Sequence, residues 1–242
     1  MMQRKNYMNL MNLDKTVPYI RKKGVAGYFQ LIFHNFFDFI LLNLVFTLTC
    51  IPIFTVGASY KALIEVCNKY AEDKVVYPIR EYFADFKKEF GKSTLYGLIF
   101  LALFAVIDFS CWFYFNMAKQ ASVMFVLAVI CAVCHILLTI VLGWFFPIFT
   151  KIDQKFTAIF ANSLILAFGN IKSTLCYLLS VAVCIALIFA LFPYSVPFVA
   201  VLPFFIIALA SSCGTAEKIN EAFGIESADD NADDNTDGEN EQ

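Results

Sequence analysis

Charge is scarce in this sequence. Asp, Glu, Lys and Arg make up 16% of its 242 residues, against about a quarter in a soluble globular domain. With 60% hydrophobic residues and a mean hydropathy of +0.69, the chain has too few charges to wrap such a core in solvated side chains. Barrel-type alternation is missing as well: the apolar residues lie in continuous blocks, which excludes a transmembrane β-barrel and leaves helices as the way to satisfy backbone polar groups in lipid. A Gly-rich phosphate loop, a Ser nucleophile elbow, an HExxH metal motif and paired catalytic carboxylates are all lacking, so no enzymatic chemistry is expected. No cofactor, metal or nucleic-acid partner is expected either. No cleavable leader is expected either, since MMQRKNYMNLMNLDKTVPYIRKKG is too polar for a signal-peptide core. Residues 1–32 are therefore read as a basic N-terminal segment.

What is present is a set of blocks of the length a bilayer asks for, about 18 apolar residues or more across a core of ~30 Å. Five candidate spans run from Phe36 to Phe54, Leu95 to Phe115, Val123 to Phe146, Thr174 to Phe192 and, after Pro193 and Pro197, Phe198 to Ser212. The last is at the lower limit of spanning length. The fold expected over residues 33–218 is an all-α, polytopic transmembrane helical bundle of about five spans, with the lipid bilayer as its first partner.

Three stretches outside the spans have a character of their own. Pro78 opens a helix on which Ile79, Tyr82, Phe83, Phe86 and Phe90 recur at helical spacing. The pattern fits an amphipathic helix on the membrane surface or one packed on the bundle. Ala158 to Gly169 is apolar but too short to span, and reads as interfacial or re-entrant. Residues 226–242 hold eight acidic and no basic side chains, and without them the formal charge changes from -2 to +6. This tail is expected to be disordered.

Lys and Arg set orientation, because their excess stays cytoplasmic. Seven lie between the first and second spans, one between the second and third, three between the third and fourth, none between the fourth and fifth, and one after the fifth. This places loop 61–92 and the C-terminal tail in the cytoplasm. The six bases of the N-terminal segment disagree if Phe36 to Phe54 crosses, and agree if it is re-entrant.

Cys131, Cys134 and His135 spell the C-x-x-C-H of c-type haem attachment. They sit midway along an apolar span, with no water-exposed face for a covalent haem, so the haem reading is rejected. The cysteines are read as small apolar packers. Asp38, Asp108 and His135 are ionisable groups within spans, where such groups suggest function by default and otherwise fix helix contacts. Counting residues from the hairpin leaves Asp108 and His135 roughly 7 Å apart in height at 1.5 Å per residue. His34 and Asp38, four apart on one face, are the better-levelled pair. The most informative run is NLVFTLTCIPIFTVGASYKAL. Pro52 and Gly57 bracket a break, and Thr55, Ala58, Ser59 and Ala62 are small enough to let helices approach. Such a broken helix lines binding sites in transporters, or it is a plain helix end.

Asn43, Pro52, Thr55, Gly57, Ala58, Ala62 and Leu63, followed by Phe83, Phe86, Lys87 and Phe90, resemble the YesL-like family of uncharacterised bacterial membrane proteins. The family reads F-x-x-F-K-x-N-F in the second block, and Glu89 stands here for its Asn. Phe146, Pro147, Phe156, Asn162, Ser163 and Asn170 are similar to later family segments, with Ser163 where Ala is usual. The resemblance runs from about Phe33 to Lys218. It implies about five spans and an association with carbohydrate uptake and polysaccharide utilisation, and it supplies no catalytic residue. Two functions follow as expectations. One is a non-enzymatic accessory protein of the bacterial cytoplasmic membrane, partnered by sugar-transporter permease subunits. The other is a small-molecule permease with its site near the broken end of the first span.

Overall fold

The computed structural model describes residues 31–72, 76–117, 122–190 and 203–224, all of whose regular structure is helical. The N-terminal segment up to residue 30, residues 191–202 with Pro193 and Pro197, and the acidic tail lie outside the described residues. The helices are α1 (Phe36–Thr49), α2 (Val56–Ala71), α3 (Pro78–Lys87), α4 (Phe90–Met117), α5 (Ser122–Lys151), α6 (Phe156–Gly169), α7 (Ile171–Ala190) and α8 (Pro203–Phe223).

Three of these, Phe90–Met117, Val123–Lys151 and Ile171–Ala190, are long and apolar enough to cross a membrane. The first apolar segment is not one continuous span. Its helix stops at Thr49, and a 3-10 turn at Ile53–Thr55 leads into α2. Fourteen helical residues reach only about 21 Å, short of a bilayer core. The cause is Pro52, which lacks an N–H and disfavours helix in the residue before it. The fifth candidate span enters the described residues at Pro203, as the start of α8.

Two regions emerge. In the base, α2 is wrapped by α1, α3, the first turns of α4, the last turns of α5, and α8. Although α2 carries Lys61, Glu65 and Lys69, it supplies Ala58, Ala62, Leu63, Ile64, Val66 and Cys67 to the buried core. An aromatic cluster of Tyr96, Phe100, Phe145, Phe146, Phe149 and Phe156 closes the side where α4, α5 and α6 meet. In the arm, the far halves of α4 and α5 (residues 101–117 and 122–137) run side by side. Large apolar side chains such as Val106, Phe109, Trp112, Phe125 and Ile130 are exposed here, so this surface is made for lipid or for another protein.

Helix α3 begins at Pro78 and ends at Lys87, but its apolar stripe divides. Tyr82 is buried and Phe86 half-buried, while Ile79 and Phe83 face outward. The rotation is set by charge: Lys69 of α2 lies 2.8 Å from both Glu81 and Asp85, turning the acidic side inward and leaving Arg80 and Lys87 exposed. The helix is therefore docked on the bundle and also presents an apolar and basic outer face.

Candidate functional site

The break between α1 and α2 frees backbone carbonyls that must find donors where water is excluded. Those of Thr49 and Pro52 find them within the protein. The Thr55 hydroxyl donates to the carbonyls of Thr49 and Pro52, each 2.6 Å away, and the Thr55 N–H donates to Pro52 O at 2.9 Å. The Thr49 hydroxyl spends its single proton on the carbonyls of its own helix, so the Tyr82 hydroxyl, 2.6 Å away, is the donor to it. Helix α3 is thereby tied to the break. Ser59, fully buried, lies beside Cys50 and Tyr82.

Gly57 sits where two backbones touch. A Cβ placed on it would meet Ser93 O and come within 2.6 Å of Gly97 Cα. The same holds in reverse, since a Cβ on Gly97 would lie 2.7 Å from the Gly57 nitrogen. No side chain fits at this crossing. Ala58, fully buried, fills the adjoining turn.

Asn43 does something different from the other motif residues. Its carboxamide oxygen accepts from the Phe205 N–H at 3.0 Å, so it caps one of the orphan donors at the start of α8 from across the bundle. A matching arrangement lies farther along. Pro147 has no N–H, which leaves the Gly143 carbonyl without its helical partner, and the Ser211 hydroxyl of α8 donates to it. Gly143 is itself required, because a Cβ there would lie 2.7 Å from Tyr177 Cζ. Of the later family-like positions, Ser163 is buried and donates to Ile159 O at 2.7 Å, and Asn170 donates to Leu166 O at 3.1 Å at the end of α6.

Of the intramembrane ionisable groups, Asp38 accepts from the Tyr70 hydroxyl at 3.2 Å. Asp108 and His135 form a direct pair, with Oδ1 and Nδ1 separated by 2.7 Å. The height difference expected from counting residues is closed by side-chain direction. Cα–Cβ bonds lean toward the N-terminus of their own helix, so in this antiparallel hairpin Asp108 leans away from the turn and His135 toward it. Cys131 is half-buried and Cys134 exposed on the same hairpin, both as free thiols.

Sequence reading missed Tyr82, Ser93 and Gly97 as partners of this joint, and Ser211 as the donor to the Gly143 carbonyl. Ser93-x-x-x-Gly97 is the small-x-x-x-small spacing of close helix contacts, and it was the available signal. It also missed the ion network of the base, in which Lys61, 1% exposed, lies 2.6 Å from Glu65 while Lys88 reaches the other Glu65 oxygen at 3.3 Å. Lys151 ties Glu72 at 2.8 Å and Asn220 at 2.6 Å, joining the ends of α2, α5 and α8. Near it an open depression of about 430 Å³ is lined by Lys92, Tyr96, Asp153, Gln154 and Lys155, among others.

Three membrane-length apolar helices around a tightly closed helical base define an α-helical membrane protein. Residues 39–111 match the model of a family described as "Protein of unknown function, DUF624". The match takes in most of α1, the break, α2, α3 and most of α4, so it includes both sides of the Gly57–Gly97 crossing. No curated protein and no solved structure matches the chain.

Proposed function

We propose that this protein is a non-enzymatic accessory protein of the bacterial cytoplasmic membrane, acting beside permease subunits of a sugar-uptake system. Loop 61–92 and the acidic tail face the cytoplasm in this reading. The observation that carries it is the filled joint at the end of α1. A permease whose site lay there would keep polar groups of the break free for substrate. Here Thr55 engages the Thr49 and Pro52 carbonyls, Tyr82 holds the Thr49 hydroxyl, and the Gly57–Gly97 crossing leaves no space for a side chain or ligand between the two backbones. The residue resemblance to YesL-like proteins supplies the link to carbohydrate utilisation, and the seven Lys and Arg between the first two apolar segments support the orientation.

Affinity purification of the full chain from native membranes in mild detergent tests this reading, beside flux measurements in proteoliposomes. The expected result is co-purification of sugar-permease subunits and no sugar flux by the protein alone. Saturable flux by the purified protein would overturn it. Labelling of Lys87→Cys from outside the cell by an impermeant reagent would overturn the orientation.

A further inference from the structure

The Asp108–His135 pair lies deep within the arm, yet it faces outward. The side chains retain 59% and 42% of their accessibility, and the described contacts around them are one another and the Phe104 ring, 5.2 Å from the imidazole. Placed against acyl chains, this pair is costly unless it is neutral overall and its remaining polar atoms are matched. Neutrality fixes what it presents. Whether the bridging proton sits on Nδ1 or on Oδ1, a pair of zero net charge carries one further proton on Nε2. It therefore offers one donor, His135 Nε2–H, and one acceptor, Asp108 Oδ2.

A surface bearing one donor and one acceptor side by side is complementary to itself under a two-fold rotation, the symmetry of most homodimers. We infer that the arm is a dimerisation surface on which a second copy of this chain seats, each His135 Nε2–H donating to Asp108 Oδ2 of the other copy. The geometry nearby admits a close approach. Ala105 and Ala132, three residues from Asp108 and His135 on their helices, are exposed, and small side chains let transmembrane helices come together. The four carboxyl and imidazole groups then close a ring of hydrogen bonds shielded from lipid. This inference does not depend on the accessory-protein reading.

The test uses the full chain, fused at its C-terminus to donor or acceptor fluorophores and reconstituted in phosphatidylglycerol-phosphatidylethanolamine vesicles at a series of protein-to-lipid ratios. Energy transfer is expected to titrate as a monomer–dimer equilibrium. Asp108→Leu and His135→Leu should each weaken association about tenfold, since each removes both reciprocal hydrogen bonds. The exchanged variant, Asp108→His with His135→Asp, keeps one donor and one acceptor and should recover dimerisation. Its recovery separates the polar match from simple misfolding of the single variants. Transfer no greater than random proximity at every density would overturn the inference, as would single variants that associate like the wild type or an exchanged variant that stays monomeric.

Discussion

The base and the arm are built from the same two long helices, yet they obey different rules. In the base, α4 and α5 meet α2 and α8 through glycines, a buried hydroxyl and the Lys151–Glu72 ion pair, and added atoms at the glycines have nowhere to go. In the arm the same helices show Leu101, Val106, Phe109, Val129 and Ile136 to the outside. A chain with this division keeps its fold in the base and is free to vary the arm's surface to suit lipid or partner. Substitutions of equal size should therefore have very unequal effects in the two regions.

Gly57→Val offers the largest contrast. Its methyls would be forced into the α4 backbone at Ser93 and Gly97. The expected loss is ~3 kcal/mol or more, the upper end for overpacking, whereas Ala102→Val on the arm should stay within about 0.5 kcal/mol. Thermal melting of both variants in detergent, with membrane abundance measured alongside, checks this. Ser211→Ala comes next. It strands the Gly143 carbonyl that Pro147 has already deprived of a partner, at about 1–3 kcal/mol for a buried unsatisfied acceptor. A melt indistinguishable from wild type would show that another donor reaches the carbonyl.

A smaller effect, in the opposite direction, is expected at Glu89. Its φ is 56°, in the left-handed region that Asn and Gly tolerate and Glu does not favour. This gives a physical reason for the Asn of the resembling family at this position. Glu89→Asn should stabilise the α3–α4 corner by roughly 0.5–1 kcal/mol, since the ion pair it removes, 3.7 Å to an exposed Lys92, is weak. Guanidinium is a poor denaturant for such a protein, so a shift in melting temperature is the appropriate reading.

The smallest effect is a pH dependence at the α2–α3 contact. Burial alone pushes the Glu81 carboxyl up, but hydrogen bonds from Lys69 and the Tyr77 N–H, with the Lys69 charge, outweigh it and hold Glu81 below the ordinary Glu range. Asp85, on the same ammonium, is more deeply buried and is pushed above the ordinary Asp range by desolvation. A lowered carboxyl contributes stability above its unfolded pKa of about 4.3, and that contribution disappears as pH falls through the lowered folded value. Asp85 works the other way, because acid relieves the penalty of its buried charge. Glu81→Gln should therefore flatten the loss of thermal stability below about pH 4.3, and an unchanged acid limb would remove Glu81 from the account.

How much of this was legible depended on whether the controlling interaction was local. Pro52 announced the break, Pro78 the start of α3, and Gly57 a close approach, because each acts through its own backbone. Ser93-x-x-x-Gly97 marked a close contact on α4 but not its pairing with Gly57, and the tie from Asn43 to Phe205, whose residues are 162 apart in sequence, left no local mark. The sequence placed residues 61–71 only within the basic loop after the first apolar segment, and the tertiary structure reveals that Lys61, Glu65 and Lys69 find their charges matched sideways and leave the other faces of α2 free for the core. The Asp108–His135 pair was underestimated because counting residues levels Cα atoms and ignores the opposite lean of side chains on antiparallel helices.

The central claim is that the break at Pro52 is a closed joint and not an open site. The most direct measurement is the reactivity of Ser59→Cys, in an otherwise cysteine-free full chain, toward a small water-soluble thiol reagent in native membranes. Lys87→Cys serves as the exposed reference. Ser59 is fully buried beside Cys50 and Tyr82. The account predicts that Ser59→Cys stays unlabelled until the protein is denatured, while Lys87→Cys reacts once the cytoplasmic face is made accessible. Labelling of Ser59→Cys in the folded protein at a rate comparable to Lys87→Cys would mean that water reaches the break, and would contradict it.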